Sequence, residues 1–315
     1  MEVRMSAAAQ VFEQKSLGFK HILIATDFSS WSEKATECAL AIARHYGSEV
    51  TIVHALPPHP RGPVPLDSPR ELDVERINAE EKMVALEVKT AQIGVSHQLR
   101  IERGRVWDVL SPLIQHQDVD LLVLGTHGRG GIQKIALGSV AEQVLHRAEC
   151  PVLTIGPNVP NAASSDFRSI LFATDFGPAS EKAFPYALSL AEDQRAQLVF
   201  VHMIAPVPTA IAGYAPAVCA AQELAEWEAT AKRESVRKLY DLIPRGTKLE
   251  MPPEYVVGLG FLPNGILDTA AEHDVDLIVM GANRTDSARF VSHIPWAVTH
   301  AVICQARCPV LTVSG

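Results

Sequence analysis

Short runs of consecutive apolar residues alternate along this chain with longer segments whose apolar positions recur at the helical period. The runs at 21–25, 50–55, 98–102, 121–125 and 152–155 are continuous rather than alternating, as expected of strands covered by helices on both faces. Between them, segments such as 33–46 and 72–90 place apolar residues three and four apart and read as helices. Strand and helix in alternation predict an α/β fold with a parallel sheet, because parallel strands need right-handed helical crossovers. An open, doubly wound sheet of this kind binds ligands beyond the carboxyl ends of its strands, where the strand order reverses. The positions to inspect are therefore Asp27, Ala55, Gly104 and the loop beginning at Gly125.

The pattern occurs twice. ILIATDF at 22–28 returns as ILFATDF at 170–176, and each is followed by SEKA, at Ser32 and at Ser180. The offset still holds at Val53-His54 and Val201-His202, then grows between VDLLVLG at 119–125 and VDLIVMG at 275–281. CPVLT closes each copy, at 150–154 and at 308–312. Self-similarity of this length means two copies of one five-stranded domain. Between them, PNVPNAASSD at 157–166 is rich in turn formers and lacks apolar periodicity, the signature of a surface linker. The expected organisation is a flexible segment at 1–17, a first domain at 18–156, a linker at 157–167 and a second domain at 168–315.

Composition narrows the function classes. A chain of 315 residues suits two domains of ordinary size. It holds no apolar stretch of the roughly 18–20 residues that a membrane span requires. A formal charge of −8 argues against nucleic acid and anionic lipid as partners, while leaving room for a local basic pocket. The N-terminal segment mixes Glu2, Arg4, Glu13 and Lys15 with alanines and lacks the apolar core of a secretory signal. Five cysteines without a Cys-x-x-Cys are too few for a disulfide framework and suit a reducing, cytoplasmic compartment. Cys304 and Cys308 lack the second ligand pair that a zinc site needs.

The candidate chemistry sits after the fourth strand, in GTHGRGGIQKIALGS at 125–139, which leads into a helix-like segment. A phosphate lying against main chain requires residues without side chains at the points of approach, and Gly125, Gly128 and Gly138 meet that need. Ser139 and Val140 stand at a helix start, where unpaired N–H groups and the helix dipole favour an anion. Arg129 and Lys134 supply positive charge nearby. Glycine is absent from the turn after the first strand, Thr26–Ser30, so neither the dinucleotide fingerprint nor the P-loop is present there.

The spacing Gly-x2-Gly-x9-Gly-Ser after a strand resembles the nucleotide-binding signature of the universal stress protein family. ATDF at 25–28, Val53-His54 and CPVLT at 150–154 are similar to that family as well, and together these blocks cover most of both copies. The resemblance implies that Asp27 and the main chain at Ala55 lie near the adenosine of ATP. It also implies that Gly125, Gly128, Gly138 and Ser139 hold the phosphates, with a magnesium ion among them. Beside this stands the plainer reading that Asp27 caps the following helix and that His54 and His127 are packed histidines rather than bases.

The second copy departs from the signature. Arg284 stands in the place of Gly128, and Trp296 and Ala297 in the places of Gly138 and Ser139. An indole obstructs the approach of a phosphate, and alanine removes a hydroxyl donor. Asp175 keeps its place, which leaves room for the adenosine end to persist, and Gly281 and Met203, the latter in the place of Ala55, complete the degenerate second site. The apolar, proline-rich stretch 204–221 is a candidate lid or a lining for an apolar ligand. Three functions stay open. One is a regulatory ATP-binding protein whose occupancy changes its association with a protein partner. Another is a slow ATP hydrolase or an autophosphorylating protein with Ser139 as acceptor. The third is a structural pseudo-dimer whose second domain binds a non-nucleotide ligand. By resemblance, the two copies pair through their final strands, 152–155 and 310–313, and a further homodimer is an open possibility.

Overall fold

The computed structural model describes residues 18–58, 69–127, 137–160, 166–205, 217–282 and 296–315, the side chains of 69–73 and 217–222 excepted. The first copy runs β1 (His21–Ala25), α1 (Ser30–Tyr46), β2 (Glu49–Leu56), α2 (Pro69–Ile93), β3 (His97–Arg103), α3 (Val106–His116), β4 (Leu121–Gly125), α4 (Ser139–Arg147) and β5 (Val152–Ile155). The second copy runs β6 (Ser169–Ala173), α5 (Pro178–Gln194), β7 (Gln197–Ile204), α6 (Ala217–Leu242), β8 (Glu254–Leu259), α7 (Leu262–Glu272), β9 (Leu277–Ala282), α8 (Trp296–Gln305) and β10 (Val310–Ser314). No helix among the described residues is long and apolar enough to cross a membrane.

Two compact units result, one formed by Gly18–Asp166 with Ile303–Ser314, the other chiefly by Phe167–Val302. In the first unit the strand order is β3-β2-β1-β4-β5-β10. The strands β1 to β5 are parallel, with Ile22 opposite both Val50 and Leu121. The continuous apolar runs are explained by burial on both faces: Ile22, Leu23, Ile24, Leu122 and Val123 expose nothing. The edge strand β3 carries Gln98, Arg100, Glu102 and Arg103 among half-buried positions, a charged edge that resists pairing with another chain. In the second unit the parallel order β9-β6-β7-β8 is built the same way, around Phe172 and Phe200, whose rings meet edge to face at 5.9 Å.

The final strands of the two copies pair, as the resemblance implied, and pairing covers apolar edges that are costly to expose. β10 runs antiparallel to β5 within the first unit, Leu311 opposite Leu153. Thr154 Oγ1 donates to the carbonyl of Val310 at 3.1 Å, and Thr312 Oγ1 to that of Val152 at 3.2 Å. The stretch read as a surface linker begins well anchored: Val159 is buried, its carbonyl accepts from Lys34 Nζ at 3.0 Å, and Asn158 donates to the carbonyl of Gln305. Residues 161–165 lie outside the described chain.

Among the described residues Cys38, Cys150, Cys304 and Cys308 form no disulfide, and all are buried. Burial pushes Cys38, in the core face of α1, from 9.0 up to about 12. A thiol held neutral in the fold but free to ionise in the unfolded chain destabilises at high pH only. Stability is unaffected by this group below pH 9.0 and falls as pH rises from there toward about 12. Alkaline unfolding followed by circular dichroism is expected to begin later in Cys38→Ala than in the parent, once each is normalised to its own neutral-pH stability.

Candidate functional site

In the first unit the strand order reverses between β1 and β4, and beyond their carboxyl ends lies a cavity of about 640 Å³. Its volume is in the range of pockets that hold small-molecule ligands, about 300–1,000 Å³. Asp27, Ala55, Gly125, Gly138, Ser139 and Val140 all line it, so the fold gathers six of the predicted site residues around one space. Gly128 and Arg129, also predicted here, lie outside the described residues.

One end of the cavity is apolar. Ala25 and Ala55 at the ends of β1 and β2, Leu124 on β4, and Val106, Val109 and Leu110 on α3 form its walls. The α3 residues escaped the sequence reading because a helix face reveals its periodicity but not what it faces. At the other end stands the start of α4. Gly138 is its N-cap and brings no side chain to cap the first-turn N–H groups, and Ser139, Val140 and Ala141 all border the cavity. Gly138 spends its own N–H on the carbonyl of Thr126 at 2.8 Å, and a Cβ there would stand 3.0 Å from that same oxygen. Glycine at 138 thus lets α4 begin directly against the end of β4. Leu137 is buried at the cavity wall. Burial raises the Cys304 thiol, and a hydrogen bond with the Leu137 main chain partly offsets the rise.

Glycine at 125 has a different cause. An added Cβ would meet the main chain of Trp31 and Ser32 at 2.9–3.1 Å, so the residue is small because α1 begins there. Its counterpart Gly281 is under the same constraint, with the main chain of Ala179 and Ser180 at 2.4–2.7 Å. That explains why this glycine survives in both copies when the rest of the loop motif does not.

The turn after β1 is held by side chains. Thr26 Oγ1 accepts from Phe28 N at 3.1 Å, and Asp27 Oδ1 accepts from Ser29 N at 3.0 Å. Phe28 adopts φ 58°, a left-handed conformation that costs a bulky residue and persists only when its surroundings enforce it. His54 does so, its ring 4.5 Å from the Phe28 ring and its Nδ1 2.7 Å from the Thr26 carbonyl. Phe176 at φ 59°, His202 and Thr174 repeat the arrangement in the second unit. The histidines therefore brace a turn. His127 differs: its Nδ1 is 2.9 Å from Thr126 Oγ1, while Nε2, buried in a ring that lines the cavity, has no hydrogen-bond partner among the described residues. A buried polar atom left this way carries a desolvation cost that a ligand can relieve.

An apolar wall, a glycine-capped helix start and an imidazole nitrogen without a partner among the described residues border one cavity. A sequence model of the universal stress protein family matches residues 18–156 and again residues 166–314. The chain belongs to that family. Universal stress protein MJ0531 of Methanocaldococcus jannaschii is 32% identical over 139 residues, 44% of this chain and 82% of that protein. A universal stress protein of Thermus aquaticus is 31% identical over 139 residues, 98% of its length. Among solved structures, a universal stress protein from Archaeoglobus fulgidus aligns over 93% of this chain and 98% of its own, with TM-score 0.63 and 19% identity, a likeness of fold. A universal stress protein crystallised with cAMP aligns over 44% of this chain at 24% identity and TM-score 0.35.

The second universal stress protein copy treats the equivalent residues differently. Asp175 is buried and its Oδ1 accepts from both Gly177 N at 2.9 Å and Ser180 Oγ at 2.5 Å, which turns it inward as the brace of α5. Trp296 opens α8 and lies half-buried, its ring 6.5 Å from that of His300 one turn on. Ala297 is exposed. Arg284 lies outside the described residues, as do 206–216 of the predicted lid. The thioether of Met203, which stands in the place of Ala55, packs against Gly258 on β8 and Gly265 on α7. Comparing the copies at 55 and 203, and at 109 and 265, could have revealed this exchange of large for small residues.

Proposed function

We propose that the first unit is an adenine-nucleotide receptor in a cytoplasmic regulatory protein. ATP lies with its base against Ala55, Val109 and Leu110 and its phosphates at the start of α4, magnesium being held by the phosphates. Occupancy changes how the protein associates with a protein partner. The observation that carries this reading is the convergence of Asp27, Ala55, Gly138, Ser139 and Val140 on one cavity of about 640 Å³ at the point where the strand order reverses. Buried cysteines that form no disulfide among the described residues suit the reducing compartment.

Calorimetry with magnesium ATP tests it, with cAMP as competitor; absence of heat from the parent protein would end the proposal. Hydrogen exchange of Ser139 to Glu142 at saturation tests the regulatory half, since a switch needs a state with different affinity. Unchanged protection there leaves a carrier rather than a switch. ADP and added phosphate mass, measured in the same incubation, separate a receptor from a slow hydrolase. His127→Ala is expected to weaken ATP binding about three- to tenfold, the equivalent of one net hydrogen bond. An affinity equal to the parent's would place His127 outside the bound state.

A further inference from the structure

We propose that the side chain of Met203 occupies, in the second unit, the slot that a nucleoside takes in the first, and that this one residue keeps the slot shut. The proposal rests on the nucleotide reading of the first cavity. The ends of β1 and β6 and of β2 and β7 are otherwise alike: Ala25, Thr26, Asp27, Ser32, Val53 and His54 line the cavity, and Ala173, Thr174, Asp175, Ser180, Val201 and His202 stand in the same places of the second copy. What differs is three neighbouring positions. Ala55 faces Glu102 across the β2–β3 ladder, and Met203 faces Gly258 across the β7–β8 ladder. Val109 is the fourth residue of α3, and Gly265 the fourth of α7.

The exchanges are reciprocal in size, and the distances show why. A Cβ on Gly265 would fall 2.1 Å from Met203 Cε and 2.5 Å from its sulfur; one on Gly258 would fall 2.7 Å from each. Glycine is costly inside a helix and weakens a strand, so two glycines at these points indicate a space requirement. Methionine meets it, being unbranched and able to fill an irregular gap. In the first unit Ala55 and Val109 border open cavity; in the second the thioether of Met203, the counterpart of Ala55, lies against Gly265, the counterpart of Val109. With Trp296 and Ala297 at the phosphate end, the slot that reopening would create suits an uncharged nucleoside rather than a nucleotide.

Equilibrium dialysis of the full chain against adenosine at millimolar concentration tests the proposal. The parent is expected to bind one nucleoside per chain and Met203→Ala two. Equal counts overturn the proposal, whatever their value. A count of none in the parent and one in Met203→Ala would sink the first-unit reading while supporting the plug. Packing provides a second measurement. Gly265→Val is expected to lower the thermal midpoint of the parent but not of Met203→Ala, and an equal loss in both backgrounds shows that Met203 is not seated there. If Met203→Ala fails to fold, the double variant Met203→Ala/Gly265→Val, which restores the alanine and valine of the first unit, is used for the adenosine count with the same outcomes.

Discussion

Gly138→Trp is expected to lower the ATP affinity of the first unit by at least about a hundredfold, roughly 2.7 kcal/mol, while leaving the far-ultraviolet circular dichroism of the protein unchanged. The substitution places in the first copy the residue that the second already carries at Trp296. Two effects combine. Any side chain at 138 begins 3.0 Å from the Thr126 carbonyl oxygen, so the start of α4 must move away from β4. The indole then projects beside the first-turn N–H groups of Ser139 and Val140, where an anion would otherwise meet donors that the N-cap glycine leaves uncapped and the positive end of the helix dipole. Gly138→Ala separates these effects, since it retains the backbone shift without the indole, and a smaller loss is expected. Calorimetry on the three proteins decides the matter. Parent-like affinity in Gly138→Trp would mean that phosphates do not lie at the head of α4.

The second large effect concerns stability. Gly125→Ala and Gly281→Ala are each expected to destabilise their own unit by about 2–3 kcal/mol, the upper part of the usual range for overpacking, because the obstacle is main chain and cannot rotate away. In the first unit the new methyl would press on Trp31 and Ser32 at 2.9–3.1 Å, and in the second on Ala179 and Ser180 at 2.4–2.7 Å. Thermal or urea unfolding should show comparable losses for the two, with Gly281→Ala at least as severe. That outcome assigns both glycines to helix packing. A Gly125→Ala protein with parent stability and lost ATP binding would instead return Gly125 to the phosphate cradle that its spacing suggests. The contrast with Gly138→Trp is informative, since the two glycines belong to one motif and yet answer to different neighbours.

Several site residues were legible from the chain alone because their signals are local. Gly138 and Ser139 could be read as a helix start from sequence neighbours, and Asp27 and Ala55, which line the cavity, as positions to inspect because they follow or end apolar runs. His54 was legible only as packed; that it braces Phe28 against positive φ requires seeing the two rings 4.5 Å apart across 26 positions of chain. The loop from 128 to 136 contributes composition but no described geometry, so Arg129 and Lys134 stand as sequence candidates.

Repetition, hydrophobic period and turn chemistry determined by themselves that this protein is two copies of a parallel α/β domain, one with a complete glycine signature and one without. Each of those signals is carried by residues a few positions apart, where chain stereochemistry alone limits the outcome. Only the tertiary structure decided what the individual side chains are for: that Gly125 makes room for α1, that β10 of the second copy lies against β5 of the first, and that Met203 fills its own cleft between Gly258 and Gly265. These are contacts between segments remote in sequence, and whether a space is open or filled depends on the volumes of residues that only folding brings together.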